Sequence, residues 1–428
     1  MLLGVLLILF FACFFYLASR NLLWGLILIA AFLPSYLIRF EILGIPLTVL
    51  EGMILISAAI WLIKSGRKNL KSQISNLKNY REWRAAIGLF LLAATVAVFV
   101  SPDLRAALGI WKAYFIEPAL FFLVLVTTVK NRVEAEKIIL GLVLGALPVA
   151  IFAVIQKFTG WLIPNPFWAA EATRRVTSVF GYPNAVALYL APIVPFCIYL
   201  LIKVLKEQRT KNKEQNQKMF FIACSLLLAL GSFLLAIIFA QSTGALLALA
   251  TVAALAGLIY KKTRYWAVGV VVLFFLIVPF TSFREPLSQE VLLRGRSGQL
   301  RLNMWGETVE MLRARPIFGA GLAGYQSAVE PYHILNWAEI YLYPHNLFLN
   351  FWTETGLAGL AGFLLLVLNF YRLGIKRTRN DELGIRNQGL MLALLAAMTV
   401  ILIHGLVDAP YFKNDLAIMF WLLLGLMF

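Results

Sequence analysis

Charge is scarce in this chain. Of its 428 residues only 14% are charged while 61% are hydrophobic, and the mean hydropathy is +0.83. A soluble domain carries roughly 25% charged and 45–50% apolar residues, so a soluble globular fold is excluded: it could not hide this much apolar surface. Cysteine is nearly missing as well. Cys13, Cys197 and Cys224 all fall inside apolar runs, where a thiol acts as a small buried hydrophobe, and their spacing offers neither a disulfide framework nor a zinc site. The period-2 alternation of an outer-membrane barrel is lacking too. No basic residue precedes Arg20, so the chain start lacks the n-region of a cleaved signal peptide and reads as a retained span.

What is present is a series of long, nearly charge-free runs, among them 85–100, 219–240 and 265–280, each near the length an α-helix needs to cross a bilayer. The expected class is all-α, a polytopic transmembrane helical bundle in one domain over 1–428. Spans are expected near 85–101, 111–129, 136–156, 184–202, 219–240, 243–260, 265–283, 346–371, 388–407 and 415–428, with three more near 2–18, 21–38 and 46–63. That makes about 12–13 crossings with the N-terminus outside.

The formal net charge of +17 invites a nucleic-acid reading, which the placement of the charge opposes. Basic residues gather in short segments between spans, at 64–84, 203–218, 261–264 and 372–386. This is the positive-inside pattern of a membrane protein, a matter of topology rather than of ligand. It places two longer segments outside, 157–183 and 284–345. The long one lacks lysine altogether. Its basic residues are Arg284, Arg294, Arg296, Arg301, Arg313 and Arg315, balanced by Glu285, Glu290, Glu307, Glu310, Glu330 and Glu339. Arginine presents a planar, permanently charged fork that grips phosphate with two hydrogen bonds, so an anionic ligand is expected at this loop. Within it Ser297 is read as the cap of a short helix running to about Arg313 and stopped by Pro316, with Arg301 and Trp305 one turn apart on one face.

Several motifs carry two readings. Gly319-Ala320-Gly321-Leu322-Ala323-Gly324 matches the dinucleotide GxGxxG string but follows a helix and a proline rather than a strand, so the nucleotide reading fails on context. A plain turn, or a nest of N–H groups facing an anion, remains. His345, in Tyr343-Pro344-His345-Asn346 where the loop re-enters the membrane, is either a base, since neutral imidazole accepts a proton near neutral pH, or a hydrogen-bonded structural group. Glu354 follows nine residues on. His404 and Asp408, spaced i and i+4 at a span end, form either a functional pair on one helix face or an anchor. Lys112 and Glu117 read as structural. Arg174 and Arg175 lie outside against the topology rule, which favours an anion-binding role over an arbitrary solvated charge.

Taken in order, Phe180-Gly181-Tyr182-Pro183-Asn184, Ser242-Thr243-Gly244-Ala245, Arg301 with Trp305, Pro316 to Gly321, Pro344-His345-Asn346 with Glu354-Thr355-Gly356, and His404-Gly405 with Asp408 resemble the O-antigen ligase and polymerase superfamily over roughly residues 170–428. The resemblance implies transfer of a glycan from a polyprenyl-diphosphate carrier, with His345 as base and Arg301 with Arg174 or Arg175 on the diphosphate. By the same resemblance Trp305, Asn346, Glu354, His404 and Asp408 belong to the substrate site. Where family members often carry Ser-Arg-Gly, this chain has Ser242-Thr243-Gly244, which leaves one expected arginine out of the clamp.

The expected activity is thus a glycosyltransferase of the polysaccharide ligase type in the cytoplasmic (inner) membrane, multi-pass, with its active site on the outer side and no cofactor or metal. Its partners would be the lipid-linked donor, an acceptor glycan, lipid or protein, and membrane lipid, with no nucleic acid. A polymerase of the same lipid-linked units is the near alternative. A transporter or flippase of lipid-linked sugars is the more distant one, since it would need functional charges near the bilayer midplane.

Overall fold

A computed structural model describes residues 2–42, 44–76, 81–208, 213–259, 264–266, 268–269, 289, 293–334, 338–379 and 384–428. Its helices, numbered in chain order, are α1 (Leu2–Arg20), α2 (Leu22–Ala31), α3 (Val49–Asn76), α4 (Arg81–Val100), α5 (Leu104–Trp111), α6 (Glu117–Thr128), α7 (Arg132–Thr159), α8 (Pro166–Ala169), α9 (Pro183–Leu190), α10 (Val194–Gln208), α11 (Lys213–Phe239), α12 (Thr243–Ile259), α13 (Arg296–Ala314), α14 (Tyr325–Val329), α15 (Leu347–Arg379), α16 (Gly384–His404) and α17 (Asn414–Leu426).

Among the described residues, six helical stretches are long and apolar enough to cross a membrane: Glu82–Val100, Leu104–Thr128, Arg132–Thr159, Pro183–Gln208, Asn216–Phe239 and Leu347–Arg379, and five shorter apolar helices accompany them. The chain is a polytopic helical membrane protein. The expected span near 265–283 lies outside the described residues but for a few positions, as do Arg284, Glu285 and Glu290.

Two expected spans are not helical throughout. The run 21–38 stops being α-helical at Ala31 and continues as a tight 3-10 turn, Leu33–Leu37, opened by Pro34. The run starting at 46 begins with a strand instead. Arg39–Ile42 (β1) pairs antiparallel with Ile45–Thr48 (β2), Arg39 opposite Thr48 and Ile42 opposite Ile45, around Gly44 at φ +79°. Pro46 has no N–H to give a helix or an inner ladder, and an edge strand tolerates that. α3 then opens on a reciprocal cap: the Thr48 hydroxyl accepts from Glu51 N at 3.2 Å and the Glu51 carboxylate accepts from Thr48 N at 2.8 Å, satisfying two N–H groups at once.

Every residue of α17 from Asp415 to Leu426 is buried. A helix that is apolar all round belongs in the middle of a bundle, and Trp421 sits there against Phe90 and Phe122. The polar atoms that such a core encloses pair with one another: Trp421 Nε1 donates to the Tyr411 hydroxyl at 3.1 Å, which donates to Tyr114 O at 2.6 Å. Beside it, α4 and α15 run closely together, with Gly362 placed so that a Cβ would lie 2.8 Å from the Phe90 backbone.

α15 is broken once, at Gly356, whose φ of 68° and ψ of −177° leave the helical region. The gap is filled by the loop after α13. Leu357 N donates to Ile317 O at 2.9 Å and Ala320 N to Thr353 O at 2.7 Å, and Trp352 Nε1 donates to Pro316 O at 2.7 Å. The freed groups of the broken helix thus find partners in the loop, as burial demands. This docking fixes α13 and the loop over the first turns of α15.

A candidate active site around the turn 405–408

Four successive residues after α16 collect the groups that the sequence motifs single out. Asn346 caps α15, its side-chain oxygen accepting from Phe348 N and Leu349 N at 3.0 Å each, a cap of the kind asparagine makes best. Its Nδ2 reaches Leu406 O at 3.0 Å, while Leu347 N donates to Gly405 O at 2.7 Å. From α13, Arg301 Nε donates to Val407 O at 2.9 Å. His345 Nδ1 lies 3.2 Å from Asp408 Oδ1. The turn 405–408 therefore holds the entry of α15 and the arginine of α13 in one register. Trp305 Nε1 donates to Pro344 O at 2.9 Å, so the helix that carries Arg301 also steadies the peptide before His345.

His345 has φ +47°, a region that a non-glycine residue occupies at a cost and that clusters at functional sites. Its side chain is 29% exposed, against 5% for Asp408. Asp408 Oδ1 also accepts from Ala409 N at 2.9 Å and Oδ2 from Asn184 Nδ2 at 3.0 Å. Burial pushes the Asp408 carboxyl up, but the hydrogen bond from His345, the charges of His345 and His404 and the Ala409 N–H together hold it well below the usual carboxylate range. A carboxylate only accepts hydrogen bonds, so Nδ1 of His345 carries a proton in this contact, and when the ring is neutral its lone pair is on Nε2. Nε2 has no hydrogen-bond partner among the described residues, and Tyr341 packs edge-on against the ring at 5.4 Å.

The spacing expectation for His404 and Asp408 needs correction. α16 ends at His404, and Leu406 N and Val407 N then bond back to Ile403 O and His404 O, a tightening common at helix ends. Asp408 leaves the helix face, and its partners are His345 and Asn184. His404 instead lines a cavity of about 440 Å³ together with Arg175, Asn184, Ser242, Thr243 and Arg301. Its Nε2 is 3.5 Å from Ser242 Oγ. Among the described residues no carboxylate lines this space, and the two cations that do, Arg175 and Arg301, are arginines. His345 is outside the lining and connects to it through Asn184.

The adjacent arginines diverge. Arg175 donates through Nε to Ala240 O at 3.0 Å, and through Nη2 to Asn184 Oδ1 at 3.1 Å and Gln241 O at 3.3 Å, which sets it on the cavity wall beside Thr243. Arg174 turns back to the end of α7, donating to Ala169 O, Lys157 O and Phe158 O at 3.0–3.3 Å. Glu354 is also away from the cavity. It is fully buried in α15, and its Oε2 accepts from Ala323 N at 2.8 Å. The glycine string thus forms a turn whose N–H finds an acceptor in the chain itself. Gly319 and Gly321 take φ of 66° and 79°, and at Gly321 a Cβ would stand 2.6 Å from Ser101 N. Ser297 is not the cap of α13: Gly295, with ψ 163°, precedes a helix that starts at Arg296, and Ser297 lines the cavity. Lys112 is ion-paired with Glu51 at 3.4 Å and Glu117 at 3.9 Å, a cluster within the bundle.

Two features escaped the sequence reading. Asn184 closed a motif without a role. His333 was passed over, although its Nδ1 meets Glu307 of α13 at 3.2 Å and its Nε2 meets Ala338 O at 3.0 Å, clipping the later part of the loop to that helix. Among the described residues no group of three or more His, Cys, Asp or Glu stands together as metal ligands would.

Residues 224–364, a third of the chain, match the O-antigen ligase family. The chain carries an O-antigen ligase domain. No curated protein matches it. The O-antigen ligase family consists of enzymes acting on lipid-linked glycans. The matched segment contains Ser242, Arg301, Trp305, His345, Asn346 and Glu354. Arg175, Asn184, His404 and Asp408 lie beyond it and reach the O-antigen ligase domain by the contacts described above.

Proposed function

We propose that the protein transfers a glycan from a polyprenyl-diphosphate carrier to an acceptor hydroxyl at the outer face of the cytoplasmic membrane. The observation that carries this reading is the Asp408–His345 pair joined through Asn184 to a cavity walled by Arg175 and Arg301. Nε2 of His345 takes the proton of the acceptor hydroxyl as its oxygen bonds to the anomeric carbon. The bond from that carbon to the diphosphate oxygen breaks, and the electron pair leaves with the diphosphate, so the anomeric centre inverts. Asp408 stabilises the imidazolium that forms, as a buried carboxylate does for a general base. Arg175 and Arg301 neutralise the charge growing on the leaving group, which removes the need for a divalent ion. Arg175 and Thr243 line the same cavity, which supports Arg175 as the replacement for the arginine absent at Thr243. Basic residues gathered in the interspan segments support an outward site.

A ligase and a polymerase share this chemistry. The ligase reading is preferred from the family description, and glycan length in a deletion strain separates the two: loss of a polymerase leaves single repeats, loss of a ligase leaves long glycan on the carrier. The mechanism is tested with purified protein, polyprenyl-diphosphate-linked glycan and an envelope acceptor fraction from the same cells. Release of polyprenyl diphosphate in excess chelator, with inversion at the new linkage, is expected. Activity lost in chelator and restored by magnesium, or a retained configuration, would overturn it.

A further inference from the structure

Among the described residues, Asn184 is the side chain that hydrogen-bonds both halves of the site. Its Oδ1 accepts from Arg175 Nη2 at 3.1 Å and its Nδ2 donates to Asp408 Oδ2 at 3.0 Å. A guanidinium only donates and a carboxylate only accepts, so the amide can stand in one orientation alone. The same logic runs on to His345. Asp408, held on Oδ2 by Asn184 and on Oδ1 by Ala409 N, cannot rotate, and it presents Oδ1 to Nδ1 of His345. Four residues from three separate parts of the chain are thus joined by hydrogen bonds of fixed direction, running from a cavity cation to a half-exposed imidazole.

We infer that Asn184 is a positioning residue, which fixes the Asp408 carboxylate and through it sets the tautomer and the basicity of His345. This rests on the reading of His345 as the base. Asn184 lines the cavity, but both polar atoms of its amide are taken by Arg175 and Asp408. It acts in two ways: it takes up one lone pair of the carboxylate, moderating its pull on the imidazole proton, and it stops the carboxylate from turning away. Among the described residues, the charged and titratable groups that face the pair are Tyr341 against the imidazole, Arg175 through Asn184, His404 at the end of α16, Tyr182 before α9 and Lys413 before α17, with Arg301 facing His404. None of these hydrogen-bonds the imidazole, so a change at Asn184 reaches His345 by way of Asp408.

The chain has three histidines, so ring nitrogen-15 spectra of the full-length protein in nanodiscs resolve His345 once His333→Gln and His404→Gln have assigned the others. In wild type the neutral ring is expected as the Nδ1–H tautomer. Asn184→Ala removes a donor from the carboxylate, which then binds the imidazolium proton more tightly, so the His345 titration midpoint rises. Asn184→Leu, close in shape and likewise without a donor, is expected to raise it by up to roughly one pH unit; it carries the test if the alanine variant fails to fold. Glycan transfer by either variant should lose about tenfold or more in kcat. The donor KM should stay within about threefold, because Arg175 keeps its bonds to Ala240 and Gln241. An unmoved midpoint in a folded Asn184→Leu protein overturns the inference, whatever happens to activity. Transfer that survives His345→Ala overturns the base reading instead, and the two failures are read in different samples.

Discussion

Two buried carboxyls, Asp408 and Glu354, look alike in isolation and differ in their partners. Both are nearly or fully inaccessible, both accept a backbone N–H within a turn, and both belong to motifs of glycine and polar residues. Asp408 takes three donors and passes its influence to a histidine that is 29% exposed. Glu354 faces inward to Ala323, and its Oε1 is buried with no hydrogen-bond partner among the described residues. Burial of a carboxyl therefore does not mark chemistry. What distinguishes the two is whether the hydrogen bonds continue to a group that a substrate can meet.

The largest effect that would sharpen this contrast is expected at Asp408. Asp408→Asn keeps the shape but can offer an N–H where His345 needs an acceptor, favouring the wrong tautomer, and transfer should fall by roughly 10²–10⁴-fold. The same variant tests the electrostatics. The folded carboxyl titrates below its ordinary value, so its contribution to stability is in place above the ordinary carboxylate range and is lost as pH falls through the folded value. The Tm gap between wild type and Asp408→Asn should be widest near neutral pH and close below about pH 4; a gap that widens in acid would contradict the assignment.

Next comes the cavity wall. Arg175→Ala should raise the donor KM by about tenfold, a loss in the range of one charge-assisted hydrogen bond, whereas Arg174→Ala, whose guanidinium bonds only backbone carbonyls of its own loop and the end of α7, should leave KM within about twofold. Equal effects at both positions would erase the distinction between them. Glu354 should behave as structure. Glu354→Ala strips the acceptor from the glycine turn and should cost about 1–3 kcal/mol of stability, read as a lower Tm, with kcat per folded molecule unchanged. Glu354→Gln keeps a side-chain oxygen for Ala323 N and is expected to have the smallest effect of all.

Much of the bundle was legible because a span announces itself locally, through some twenty consecutive apolar residues. The hairpin was not, since it has eight strand residues and one of them is Pro46. Within the site, the residue types were readable and their pairing was not. Asn184 and Asp408 are 224 positions apart, and Arg301 and Val407 are 106 apart, so no periodicity connects them. The i, i+4 spacing of His404 and Asp408 misled for a definite reason: the rule holds only while the helix continues, and here it ends at His404. The glycine string matched a nucleotide fingerprint yet serves an internal acceptor, which could be seen only once α15 was known to break at Gly356 and admit the loop.

The measurement that bears most directly on the base is single-turnover glycan transfer by His345→Ala protein at saturating polyprenyl-diphosphate-linked donor, alongside donor binding by the same sample. Binding close to wild type with transfer slowed by at least about 10²-fold is the expected result. Transfer at the wild-type rate would contradict the assignment of His345 as the group that takes the acceptor proton.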